Sequence, residues 1–101
     1  MSSTIEKLVA IIRSRKGSDI DNSYTALLLS KGNDHCLNKL KEEVTELEDA
    51  IKNKKNTVHE AADVIYHLLV TLESANIKFD DIIKELKKRE GISGLEEKKN
   101  R

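Results

Sequence analysis

Proline is absent from the 101 residues, and glycine occurs only at positions 17, 32, 91 and 94. A chain without the strongest helix breaker, and rich in Lys, Glu, Leu and Ile, is read as all-α with loops punctuated by its glycines. Tryptophan is missing too, and the aromatics are Tyr24, Tyr66 and Phe79 alone. Lys+Arg and Asp+Glu balance at 18 each, so there is no basic excess. Nucleic-acid binding is therefore excluded on two grounds, since it needs both cationic surface and stacking platforms. No apolar run reaches the length of a membrane span, and the N-terminus carries no signal-peptide core. The stretch from Leu8 to Ile12 is too short for either and reads as one face of a helix. Cys36 is the lone cysteine. It excludes an intramolecular disulfide, offers no thiolate metal site, and reads as a reduced thiol on a helix of a cytoplasmic protein.

What is present is periodic. A chain of this length is read as one domain, 1–101, whose single core is thin, and pairing with another copy is a common remedy. Ile5, Leu8, Val9 and Ile12 predict a helix from Ser3 to Lys16, ended by Gly17. SYTALLLSKG predicts a short helix, N-capped by Ser23 and closed by Gly32. Leu37, Leu40, Val44, Leu47 and Ile51 step by three and four, an amphipathic stripe on a helix from Asp34 to Lys54. NKKN is a turn. A further helix runs from Thr57 to Ala75, and a last one opens with Asp80 as N-cap and stops at Gly91. The tail, 92–101, shows little periodicity and is read as extended. The sum is a bundle of four main helices plus a short one.

The acids follow a pattern of their own. KEEVTELEDA and HEAADVIYHL each set carboxylates three residues apart, Glu43 with Glu46 and Glu60 with Asp63. By helical rotation Glu43 lies about 70° from the centre of the apolar stripe and Glu46 about 130°, with Glu42 nearly opposite and therefore the most solvated. On the next helix Val58, Ala61, Ala62, Ile65, Leu68, Leu69 and Leu72 form a broad apolar face, and Glu60, Asp63 and His67 share the other side. Each acid has a plain alternative. Polar helix faces are ordinarily wet, Thr57-Val-His-Glu60 fits a capping box, and Glu46 has lysines a turn away. Yet no Lys or Arg occurs between Asn56 and Ile77, in a chain where they make up 18 of 101 residues. The third long helix therefore reads as central, covered on both sides, with acids that no neighbouring side chain neutralises. Half-buried like charges repel, and a hard divalent cation relieves them; an all-oxygen donor set favours Mg²⁺ over zinc.

The spacing Glu42-Glu43-x-x-Glu46 followed by Glu60-x-x-Asp63 resembles the signature of the MazG-like all-α nucleoside triphosphate pyrophosphohydrolases. SYTALLLSKG at 23–32, YHLLVTL from Tyr66, and REGISGLEEKKNR at 89–101 are similar, within that superfamily, to the phosphoribosyl-ATP pyrophosphatases. The family's Lys-x-Gly-Glu-Glu reads Lys39-Leu40-Lys41-Glu42-Glu43 here, with lysine in place of the glycine. The resemblance implies Mg²⁺-dependent hydrolysis of the α–β phosphoanhydride of phosphoribosyl-ATP, the second step of histidine biosynthesis. It implies Glu43, Glu46, Glu60 and Asp63 as metal ligands, and Glu42 or Glu46 as the group that orients or deprotonates water. Lys39, Lys31, Arg89, Lys98 and Arg101 are the basic residues that could reach phosphate. The stand-alone form, without a fused cyclohydrolase domain, and a homodimer or dimer of dimers are expected. Tyr24 and Tyr66 are read as packing residues before base-stacking ones, and His67 as divided between the acid face and the core. Two rival readings remain at this point: a pyrophosphohydrolase of ordinary (deoxy)nucleoside triphosphates, and a non-catalytic helical interaction module.

Overall fold

A computed structural model describes residues 3–91 and 98–99, and among them the chain forms five helices and no strand. They are α1 (Thr4–Ser14), α2 (Tyr24–Ser30), α3 (Asn33–Asn53), α4 (Thr57–Ser74) and α5 (Phe79–Arg89). None of these helices is long and apolar enough to cross a membrane. Residues 92–97 and Arg101, on which the expected extended tail and one basic candidate fall, lie outside the described residues.

α3 and α4 form the backbone of the fold, packed along one another as an antiparallel hairpin, with α1 and α2 leaning on α4. The hairpin turn is tight. Lys54 and Asn56 both take left-handed backbone, at φ 55° and 57°, a conformation asparagine tolerates better than lysine. Thr57 donates its hydroxyl to the Ala50 carbonyl at 3.2 Å, so it satisfies the open end of α3 instead of capping α4. The N-cap of α4 is Asn56, and the Glu60 amide bonds the Asn56 carbonyl at 3.0 Å. The capping box expected at Thr57–Glu60 is therefore not formed, and Glu60 has no local structural partner of that kind.

The core joins Ile12 of α1, Leu28 of α2, Cys36 of α3, and Leu69 and Val70 of α4. Cys36 is a free, buried thiol that donates to the Leu28 carbonyl at 3.3 Å. The Thr71 hydroxyl bonds back to the His67 carbonyl and crosses to that of Cys36, which holds this end of α4 against α3. Ser23 caps α2 as expected, accepting from the Ala26 amide at 3.1 Å. Ser23→Ala will cost about 1 kcal/mol of stability, measurable as a lower urea midpoint with unchanged slope.

Two expectations are corrected. α5 is capped by Lys78, with Asp80 inside its first turn; Lys78 carries the extended backbone an N-cap requires, and Asp80 serves the helix dipole instead. More consequentially, within this chain α4 is covered on all sides only towards its C-terminal end, where Leu69 is buried as well as Val70 and Thr71; its earlier turns are covered on one side only. The side turned inward is the one that carries Glu60, Asp63 and His67, continuing to Val70 and Thr71. Much of the broad apolar face is open: Val58 is 85% exposed, and Ile65 and Leu68 are exposed beside it. Leu37, Val44 and Ile51 of α3 are exposed as well.

Candidate metal and substrate site

Because α3 and α4 run antiparallel and in contact, the two i, i+3 carboxylate pairs meet between them. One carboxylate oxygen from each of Glu43, Glu46 and Glu60 lies within 4.8 Å of the others. A second group, sharing Glu60, brings an Asp63 oxygen and a His59 ring nitrogen within the same distance of one another. Three of the four predicted ligands thus converge directly, and Asp63 joins them through Glu60.

The electrostatics of this cluster are unfavourable as it stands. The Glu43 side chain is only 17% exposed. Its carboxyl is pushed up to about 7, first by burial, then by its hydrogen bond with Glu46 and by repulsion from Glu46, Asp63 and Glu60. Glu60 is raised for the same reasons, burial before the Glu46 charge. Glu43 Oε2 and Glu60 Oε2 are buried without a hydrogen-bond partner. Among the described residues, no lysine or arginine pairs with any of the four acids. Leaving buried anionic oxygens unmatched costs several kcal/mol. An oxygen-only triad with two orphaned oxygens fits a hard divalent cation such as Mg²⁺. Zinc fits less well, since the single nitrogen donor, His59, is exposed and bound at 3.3 Å to Asp63.

The remaining candidates divide. Glu42 is turned out of the cluster, 61% exposed, and pairs with Lys39 at 3.3 Å. Lys39 is the basic candidate that the structure sets beside the acids, and its ammonium is stabilised chiefly by the Glu42 hydrogen bond and charge. Lys31 ends α2 in an exposed position, Arg89 pairs with Glu85 within α5, and Lys98 is exposed.

Residues not singled out beforehand also shape the site. An open groove of about 310 Å³ lies at the turn end of the acids, lined by Glu46, Glu60, Asp49, Asn53, Lys55 and Asn56. That placement follows from topology: a hairpin whose arms share a site must present its turn at one end of it. At the other end His67 is 6% exposed, with Nε2 at 3.7 Å from Glu43 Oε1. Burial lowers its pKa, so the ring is neutral near pH 7. It stands edge-on to Tyr66 at 5.0 Å and to Tyr24 at 6.2 Å between ring centroids. Tyr66 is packed, bonded through its hydroxyl to Thr25, as read from the sequence. Tyr24 departs from that reading and is 54% exposed.

Comparison with known proteins adds an independent observation. Residues 5–90 match the family model described as phosphoribosyl-ATP pyrophosphohydrolase. The chain is 45% identical to the phosphoribosyl-ATP pyrophosphatase of Dinoroseobacter shibae, over 98% of this chain and 99% of the relative. It is 45% identical to the protein of that name from Janthinobacterium sp., over 97% of this chain and 95% of the relative. Its identity to the one from Dechloromonas aromatica is 43%, over 96% of this chain and 92% of the relative.

Proposed function

The chain belongs to the phosphoribosyl-ATP pyrophosphohydrolase family, and from this we propose that the cleft between α3 and α4 is the place where it hydrolyses phosphoribosyl-ATP. The products are phosphoribosyl-AMP and pyrophosphate, and the step is the second of histidine biosynthesis. The observation that carries the assignment to this cleft is the set of converging carboxylates with buried, unpartnered oxygens at Glu43 and Glu60.

In this reading Glu43, Glu46, Glu60 and Asp63 hold Mg²⁺. The ion, when bound, supplies the positive charge that a triphosphate and a departing pyrophosphate require. The residues do the rest. Lys39, at the α2 side of the acids, meets a non-bridging phosphate oxygen. Lys55, in the groove at the turn end, meets the pyrophosphate side. A water oxygen forms the new bond to phosphorus while the bridging oxygen leaves with pyrophosphate, and the water's proton needs an acceptor. Glu46 lies within the converging triad, where it would hold the ion. Glu42 stands outside that triad, exposed and paired with Lys39, so Glu42 is the carboxylate that orients the water and takes its proton.

The test is pyrophosphate release from phosphoribosyl-ATP, with and without Mg²⁺, beside a panel of ordinary deoxynucleoside triphosphates. The reading requires Mg²⁺-dependent turnover of phosphoribosyl-ATP; turnover of the panel alone would overturn it. Glu42→Gln will lower kcat about a hundredfold or more with little change in the Mg²⁺ concentration needed for half-maximal rate. Glu46→Gln will raise that Mg²⁺ requirement as well. The same reading takes the exposed apolar stripes on α3 and α4 as the contact with a second copy of the chain.

A further inference from the structure

The site has two unlike ends, and the difference assigns a direction to the nucleotide. Along α3 the order is Lys39, then Glu43 and Glu46, then Asn53; along α4 it is the turn, then Glu60 and Asp63, then His67. The turn end has no aromatic residue in its lining, with Lys55, Asn53 and Asn56 beside Ala50 in the groove. The far end holds the aromatic groups: buried His67, packed Tyr66 and exposed Tyr24. A nucleotide cleaved between its α and β phosphates has the same polarity. Pyrophosphate extends one way from the acids, ribose and base the other.

We propose that Tyr24 is the stacking platform for the adenine ring, and so a specificity-determining residue of this site. The proposal rests on the function assigned above. Three observations support it. The residue is held firmly although its ring is open. α2 is pinned by the Ser23 cap, by buried Ala26 and Leu28, and by the Thr25–Tyr66 hydroxyl pair reaching α4. A platform fixed before binding loses little entropy when a base lands on it. Second, the one ring contact of Tyr24 within the described residues is to His67, at an interplanar angle of 78°. A T-shaped pair covers at most one face of either ring, so Tyr24 keeps a face free for a base. Third, His67 bridges from Tyr24, at 6.2 Å between ring centroids, to Glu43 at 3.7 Å. One side chain thus separates the ring from the acids, a spacing suited to the ribose between an α-phosphate and its base.

The experiment compares wild type with Tyr24→Phe and Tyr24→Leu. Phenylalanine keeps the ring, and leucine keeps apolar bulk without a π face. Tyr24→Leu will raise KM for phosphoribosyl-ATP roughly ten- to hundredfold, the range of a lost base–aromatic stack, while Tyr24→Phe stays within a few-fold of wild type. Inhibition constants separate stacking from a general defect. AMP, which carries a base, will weaken as an inhibitor of Tyr24→Leu, whereas inorganic tripolyphosphate, which has none, will inhibit both proteins equally. Equal KM values in wild type and Tyr24→Leu, equal weakening of both inhibitors, or a change in molecular mass on substitution would overturn the proposal. Absence of Mg²⁺-dependent turnover in the wild type would instead remove the functional reading on which it depends.

Discussion

Glu43→Gln will reduce Mg²⁺-dependent pyrophosphate release by about a thousandfold and, in the absence of Mg²⁺, will make the protein more stable than wild type. Both effects follow from one fact: Glu43 is the most enclosed member of an uncompensated acidic cluster. In the proposed site, losing a ligand oxygen removes several kcal/mol of charge stabilisation from the reacting triphosphate, and each 1.36 kcal/mol is about tenfold in rate. The stability gain has a definite pH dependence. The Glu43 carboxyl is raised from 4.5 to about 7, so between those values the folded chain holds a proton that the unfolded chain has released. Stability without Mg²⁺ is then greatest below pH 4.5 and declines as pH rises through 7. The full shift corresponds to at most about 3 kcal/mol, spread over the interacting acids. Glutamine is neutral throughout, so the variant lacks this decline. At pH 8 without Mg²⁺ it will melt higher than wild type, by roughly 10 °C. Adding Mg²⁺ will raise the wild-type Tm and leave the variant nearly unmoved. If Mg²⁺ raised both melting temperatures equally, the ion would be binding elsewhere. Asp63→Asn, at the more open edge of the cluster, will cost similar activity with a smaller stability gain.

How far this site was legible in the sequence depended on which kind of information each residue carried. The pairing of Glu43 with Glu46, and of Glu60 with Asp63, was visible because i, i+3 spacing fixes a shared helix side without tertiary knowledge. The outward position of Glu42 followed from the same rotation. Glu60 was ambiguous between a cap and a ligand, since a Thr-x-x-Glu string has both meanings. The left-handed Asn56 decides against the cap by moving the helix start back one residue. Lys55 and the groove asparagines were not legible as site residues. Their relevance comes from the hairpin closing on itself, and NKKN reads as an ordinary turn. Tyr24 was misjudged because a scarce aromatic in an apolar string is ordinarily core. The helix instead buries Ala26 and Leu28 and leaves Tyr24 outside.

The sidedness of α4 was the deepest ambiguity, and it leads to the second large effect. The absence of Lys and Arg from 56 to 77 marks a helix surrounded by something other than water, yet over its first turns one chain covers only its acid-bearing side. Leu37, Val44 and Ile51 recur every seven residues on α3, and Val58, Ile65 and Leu68 continue the apolar surface on α4, all exposed. Fully burying side chains of this size is worth about 1.5–3 kcal/mol each, too much to leave on a small domain without a partner. The proposed occupant is a second copy of the chain. Two such hairpins pressed together by a twofold axis make a four-helix arrangement with the acids on its flanks. The α3 groove formed by Val44, Leu47 and Ile51 is rimmed by Glu48 and Lys52, opposite charges that a twofold contact can exchange. The wild type will therefore scatter light as a dimer or a dimer of dimers of the 11.4 kDa chain. Ile51→Glu combined with Ile65→Glu will reduce it to a monomer at micromolar concentration, because each contact would then bury four unpaired carboxylates. Activity will fall with it, since α4 carries Glu60 and Asp63 and loses the support of its outer side. A wild-type protein that is monomeric and fully active at the same concentration would contradict this, and α4 would then be a helix with one side bare to water.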